Sequence, residues 1–150
     1  MYQVNYKQFY AEGEFATIYK VSPHRIIKAF NKVDMYTNEE VDFLISDEIN
    51  GSKLNYGLPV IKEVEILTLT CHCGDCNDTK TARGLLKRFV PNLVSEKECI
   101  ELVNRPDFPI ELKWDSQDVR QMRKDEKGRI YVIDTQTEKI MHLIGRGRER

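Results

Sequence analysis

The chain has 150 residues, enough for one hydrophobic core. Hydrophobic residues make up 41% and charged residues 31%, a globular balance that excludes a disordered or fibrous chain. Lys plus Arg is 23 against 24 Asp plus Glu, a formal charge of −1, so no global basic field draws nucleic acid or an anionic membrane, and such binding requires a local patch.

Strand signals open the chain over residues 5–10 and 15–21, with Gly13 as the turn between them. Ser22-Pro23-His24 makes the next turn, and residues 25–30 read as a third strand, completing an antiparallel meander. A helix follows. Thr37 is its N-cap, Glu40 stands in capping-box position, Val41, Leu44, Ile45 and Ile49 recur at helical spacing, and Asn50-Gly51 is the stop signal. Residues 58–61 and 64–69 are strand-like, and residues 70–81 form a polar loop. Residues 84–90 are another strand, ended by Pro91-Asn92, and Ser95 caps a short helix through Val103. Lys127-Gly128 turns into a strand over residues 129–133. The sum is an α+β pattern. One domain over 1–150 is expected, with a frayed basic tail over 145–150.

No apolar run approaches the roughly 20 residues of a membrane span. The opening Met1-Tyr2-Gln3-Val4-Asn5-Tyr6-Lys7 lacks the apolar centre of a signal peptide, so the expectation is a cytoplasmic protein with no membrane partner. Three of the four cysteines, Cys71, Cys73 and Cys76, lie within six residues, and Cys99 stands apart. In a reducing compartment such a cluster reads as thiols or a metal site rather than a disulfide framework. Cys71-His72-Cys73-Gly74-Asp75-Cys76 concentrates thiolate and imidazole donors, with Gly74 for a tight turn. The expected metal is structural zinc on Cys71, Cys73 and Cys76, completed by Cys99, His24 or His142. The alternative is a loop of uncoordinated thiols.

Two arrangements carry phosphate chemistry. The stretch Glu12-Gly13-Glu14-Phe15-Ala16-Thr17-Ile18-Tyr19-Lys20-Val21, with Lys28 seven residues on, has the layout of a nucleotide-covering hairpin. Gly13 lets backbone approach phosphate oxygens, Phe15 sits at the loop tip, Ile18 presses on the base and Lys28 reaches the α- and β-phosphates. The plain alternative is a β-hairpin with a surface lysine, since one glycine is a weak motif. Later, Asp115 stands in an irregular loop and Asp134 ends a strand. One carboxylate falls where an attacking hydroxyl would sit and the other where a magnesium ion would sit. Solvated surface acids are the alternative.

On these residues the chain resembles the protein-kinase family. Glu12-Gly13-Glu14-Phe15-Ala16-Thr17-Ile18-Tyr19 resembles the glycine-rich loop, and Arg25-Ile26-Ile27-Lys28 the strand bearing the ATP-anchoring lysine. Leu58-Pro59-Val60-Ile61 is similar to the strand after the helix, and Leu85-Leu86-Lys87-Arg88-Phe89-Val90 to the strand leading into the hinge. Asp115 falls at the catalytic-loop aspartate and Ile133-Asp134 at the magnesium-binding aspartate. The flavour is that of the compact early kinases of short-tailed coliphages, on the hairpin-to-lysine spacing and on Met122. The resemblance runs from about Tyr10 to Asp134. It implies an amino-terminal lobe of antiparallel sheet plus one helix, with a reduced carboxy-terminal stub. It also implies catalytic roles for Lys28, Asp115 and Asp134, and ATP with magnesium as cofactors. Glu40 is the implied helix partner of Lys28, with Asp42 in reserve if Glu40 serves the capping box.

The departures from that pattern shape the functional reading. Gly13 alone remains of the loop glycines, Ala11 and Ala16 replacing the others. Arg120 stands where the second metal ligand belongs; a guanidinium cannot ligate a cation, and is assigned a direct phosphate contact instead. Gln117 stands where phage-type members tend to have His, and Thr135-Gln136 follows Asp134 in place of Phe-Gly. Sixteen residues follow Asp134, which on this reading leaves no room for an activation segment and substrate platform. The leading expectation is a degenerate kinase-like domain that acts through a host or phage protein, as an accessory or host-takeover factor, with residual ATP binding and weak or no phosphotransfer. Two alternatives stand beside it: a minimal active Ser/Thr kinase, and a zinc-stabilised small binding module. Nucleic-acid contact is expected only from the tail arginines Arg146, Arg148 and Arg150.

Overall fold

The computed structural model describes residues 1–32, 35–69, 79–113 and 119–135. The architecture is α+β. Strands β1 (Tyr2–Val4), β2 (Phe9–Glu12), β3 (Thr17–Ser22) and β4 (Arg25–Ala29) precede helix α1 (Asn38–Ser52). Strands β5 (Val60–Leu69), β6 (Thr79–Arg88) and β7 (Asn92–Leu93) lead to helix α2 (Glu96–Val103), and β8 (Met122–Lys124) and β9 (Ile130–Val132) follow. Among the described residues no helix is long and apolar enough to cross a membrane.

The chain divides into two compact units, Met1–Val41 with Val60–Phe89, and Asp42–Pro59 with Val90–Arg150. The first unit holds a six-stranded sheet in the order β1-β5-β6-β4-β3-β2. The β1–β5 pair is parallel and the other pairs are antiparallel. Alternation along the strands sends Val4, Tyr19, Ile27, Ala29, Val64, Ile66 and Leu86 into one apolar cluster. Each fully buried aliphatic or aromatic side chain there contributes roughly 1.5–3 kcal/mol. Lys28 projects from the opposite face of β4, paired with Ile18 on one side and Leu85 on the other.

The second unit packs α2 on a three-stranded sheet ordered β7-β8-β9. Ser95 caps α2 by accepting from the Glu98 N–H at 3.1 Å, while the Glu98 carboxylate accepts from the Ser95 N–H at 3.1 Å. Cys99, Leu102 and Val103 of that helix meet Val94, Phe108, Leu112, Met122 and Val132 in the core. The Leu58 N–H donates to the Val132 carbonyl at 2.9 Å and the Val132 N–H donates to the Tyr56 carbonyl, which ties the segment before β5 to β9.

Several boundaries depart from expectation, each for a local reason. The first expected strand begins only at Phe9, because Asn5 caps a single 3₁₀ turn over Tyr6–Gln8 through its side chain. The strand β1, outside the expected set, runs beside β5 in parallel register. Helix α1 passes through the Asn50-Gly51 stop signal to Ser52. The two strands expected at 58–69 are one strand, β5, with an irregularity between Val60 and Lys62. β6 begins at Thr79, five residues before the expected Gly84, because β5 offers a hydrogen-bonding edge out to Leu69.

Candidate functional site

The β2–β3 hairpin closes at Gly13, whose N–H donates to the Ala16 carbonyl at 2.9 Å. Its loop is held from outside. The Lys32 ammonium donates to the Gly13 carbonyl at 2.6 Å and pairs with Glu12 at 2.7 Å. The Tyr36 hydroxyl donates to the Glu14 carbonyl at 3.4 Å, and the Tyr36 ring lies 5.6 Å from that of Phe15. Phe15, expected at the loop tip, is accordingly only 7% exposed. At the base of the hairpin the Thr17 hydroxyl lies 3.2 Å from the Glu12 carboxylate and 3.1 Å from the Asn31 side-chain oxygen. Burial, with Glu12 nearby, pushes the Tyr19 phenol above its ordinary pKa.

Lys28 is 7% exposed, with its ammonium 5.7 Å from the centre of the Phe30 ring. The strand beneath it approaches closely because β6 has a glycine there. A Cβ on Gly84 would lie 2.6 Å from the Lys28 carbonyl oxygen and 2.5 Å from Ile66 Cδ1. The sequence signal for this contact is an isolated glycine within a strand, which marks close backbone approach.

The acids of α1 divide sharply. Glu40 closes the capping box: its Oε1 accepts from the Thr37 N–H at 3.0 Å, and the Thr37 hydroxyl accepts from the Glu40 N–H at 3.1 Å. Asp42 is exposed. Glu48 is fully buried. An acid one turn beyond Leu44 and next to the Ile45 stripe is the sequence signal for it, an anomaly in an apolar face.

In the second unit, Asp134 is half-buried just beyond β9 and Thr135 is fully buried. The Thr135 hydroxyl donates to the Glu48 carbonyl at 2.9 Å. Gly51, one turn further along α1, leaves room for the Thr135 backbone: a Cβ there would lie 2.0 Å from the Thr135 oxygen. A glycine at this position lets the Thr135 backbone pass this close to α1. Arg120 is exposed in a 3₁₀ turn, and its carbonyl accepts from the Arg123 guanidinium at 2.9 Å.

Asp115, Trp114 and Gln117, the thiols Cys71, Cys73 and Cys76, His72 and His142, and the tail 145–150 lie outside the described residues. Among the described residues no three His, Cys, Asp or Glu side chains gather as a metal site. Two of the three residues expected to complete a zinc site are described. Cys99 is 1% exposed inside the apolar core of the second unit, and His24 is exposed in the β3–β4 turn. A cavity of about 540 Å³ opens in the first unit beside Phe30, Tyr36, Val41, Glu63, Glu65 and Arg83. Its lining includes neither Gly13 nor Lys28.

No protein-family model matches the chain, and no curated protein sequence matches it. Among solved structures the chain is similar to an apo pseudokinase, at 10% identity and a TM-score of 0.48, over 92% of this chain and 60% of the other. The chain therefore spans less than two thirds of that pseudokinase.

Proposed function

We propose that this chain is a kinase-like domain of reduced chemistry, which binds a nucleotide weakly and acts mainly by holding a protein partner, a host or phage protein. The observation that carries the nucleotide part is the burial of Lys28 in the middle of β4, on the sheet face away from the apolar cluster. Lys28 stands on the strand that follows a glycine-turned hairpin, the layout in which a lysine meets the phosphates of a bound nucleotide.

The same residues set the limit on transfer. Phosphoryl transfer depends on positioning and on neutralising phosphate charge. Asp134 is suited to one magnesium ion, because magnesium is commonly held by one or two carboxylates together with the substrate phosphates. Bound there, the ion would supply charge neutralisation at the phosphates. Arg120 offers no second ligand. Phe15 packs on Tyr36 and so does not cover a nucleotide from the loop tip. Binding needs fewer groups than transfer, so Gly13, Ile18 and Lys28 serve the first without the second. In this reading zinc on Cys71, Cys73 and Cys76 is a separate structural element.

The test is thermal unfolding of the full chain with ATP, with and without magnesium, beside Lys28→Ala and Asp134→Asn. ATP should raise the midpoint of the wild type and not that of Lys28→Ala. Magnesium should add a further shift that Asp134→Asn removes. No ATP shift in a folded wild type overturns the nucleotide site. Robust labelling of a protein substrate from radiolabelled ATP, lost in both Lys28→Ala and Asp115→Ala, establishes the minimal kinase instead.

A further inference from the structure

The tip of the β2–β3 hairpin is gripped by the turn that follows β4. That turn is closed by the Met35 and Tyr36 N–H groups, which both donate to the Lys32 carbonyl, at 3.0 and 3.2 Å. Lys32 and Tyr36 therefore act on the hairpin from one small unit of backbone. Lys32 holds the Glu12 carboxylate and the Gly13 carbonyl, and Tyr36 holds the Glu14 carbonyl and the Phe15 ring. Each residue from Glu12 to Phe15 is thus bound by one of two side chains.

These grips bear on phosphate binding. A trans peptide is planar, with its C=O and N–H on opposite sides. By holding the Gly13 carbonyl, Lys32 fixes the direction of the Glu14 N–H. By holding the Glu14 carbonyl, Tyr36 fixes that of the Phe15 N–H. Successive backbone N–H groups are what a glycine turn offers an anion. They cannot turn toward one while both carbonyls are held. The Phe15 ring is buried against Tyr36, so the tip is folded onto this turn. The grips are also of a kind that opens. The Lys32–Glu12 pair stands partly in water, at 20% and 50% side-chain exposure, and such pairs are weak. The Tyr36 hydroxyl bond is long, at 3.4 Å.

We propose that Lys32 and Tyr36 form a latch that holds the hairpin in a state unfit for nucleotide, and that releasing it raises nucleotide affinity. The latch rests on nucleotide binding at Lys28 and adds a control to that site. Apparent affinity is reduced to the extent that the loop is held, because a ligand binds only the released fraction.

The experiment is isothermal titration of the full chain with ATP and magnesium, beside limited cleavage by a glutamate-specific protease without nucleotide. Lys32→Met should be cut near Glu14 faster than wild type. It should also bind ATP about fivefold tighter, the effect of losing one such hydrogen bond from the held state. The sign is diagnostic, because removing a cation close to a triphosphate otherwise weakens binding. Lys32→Gln should behave in the same way, and Lys32→Arg, which keeps charge and donors, should match wild type. Tyr36→Phe keeps the ring and should stay within about twofold of wild type. Adding Lys28→Ala to Lys32→Met should abolish the gain. Circular dichroism verifies that each variant is folded.

Weaker ATP binding by Lys32→Met makes Lys32 a phosphate ligand and overturns the latch, while the nucleotide site stands. Faster cleavage with unchanged affinity overturns it as well, since the loop is then free without consequence. So does wild-type resistance to cleavage in both Lys32→Met and Lys32→Gln. ATP binding by neither wild type nor the faster-cut variants overturns the nucleotide site and its control together.

Discussion

The side-chain hydroxyl of Thr135 donates to the backbone carbonyl of Glu48 at 2.9 Å, across 87 residues of chain. Both residues are fully buried, and the Thr135 carbonyl occupies the space that a side chain at Gly51 would fill. The chain immediately after Asp134 is thereby fixed against the last turns of α1. Position along this segment is set by backbone fit as much as by side-chain chemistry.

Substitutions at this contact should separate the two contributions. Thr135→Val keeps the shape and removes the hydrogen bond, at a cost of about 1 kcal/mol. Gly51→Ala ordinarily favours a helix by about 1 kcal/mol. Here the added carbon meets backbone, and the net effect should be a loss of about 1–3 kcal/mol. Urea unfolding measures both. A stabilised Gly51→Ala protein would show that the Thr135 backbone does not pass this close.

The hairpin loop depends on Tyr36 through its ring more than its hydroxyl, which bonds Glu14 at a long 3.4 Å. Tyr36→Phe should cost about 1 kcal/mol or less. Tyr36→Ala removes the buried ring that packs on Phe15, and should cost about 3–5 kcal/mol. Limited proteolysis should then cut near Glu14 in the alanine variant first, while the phenylalanine variant stays as resistant as wild type.

The cap of α2 makes a pH prediction. The Ser95 N–H holds the Glu98 carboxyl below its ordinary pKa, with further help from the Lys124 ammonium and the Ser95 hydroxyl. Lys124 lies 3.1 Å from the carboxylate. A folded pKa below the unfolded one adds stability that is complete above the unfolded value, about 4.3, and is lost as pH falls through the folded value. Glu98→Gln should therefore be less stable than wild type at neutral pH and converge with it in acid. Ser95→Ala should cost about 1 kcal/mol at neutral pH. Parallel unfolding curves at every pH would remove Glu98 from the acid transition.

Metal analysis tests the cysteine cluster. Protein purified without chelator should carry about one equivalent of zinc, and a Cys71→Ser, Cys73→Ser double variant should carry none. Cys99→Ala should leave the zinc content unchanged, because that thiol lies within the apolar core of the second unit. Less than about half an equivalent in a folded wild type would establish uncoordinated thiols.

What could be read along the chain was whatever a few neighbouring residues decide among themselves. The Thr37–Glu40 and Ser95–Glu98 capping boxes are local exchanges of hydrogen bonds, and both helices begin as expected. The alternation of Ile27 and Lys28 along β4 was likewise legible, because it follows from strand geometry alone. The ends of elements were not. The ten-residue β5 and β6 lengthen each other by pairing from Val60 to Leu69. The candidate site divides in the same way. The burial of Lys28 and Glu48 and the packing of Phe15 on Tyr36 depend on residues far apart in sequence. A residue's type and spacing determine its local conformation and its chemistry. Which groups it faces is decided by chain folding, because only the folded chain brings distant backbone and side chains within a few ångströms.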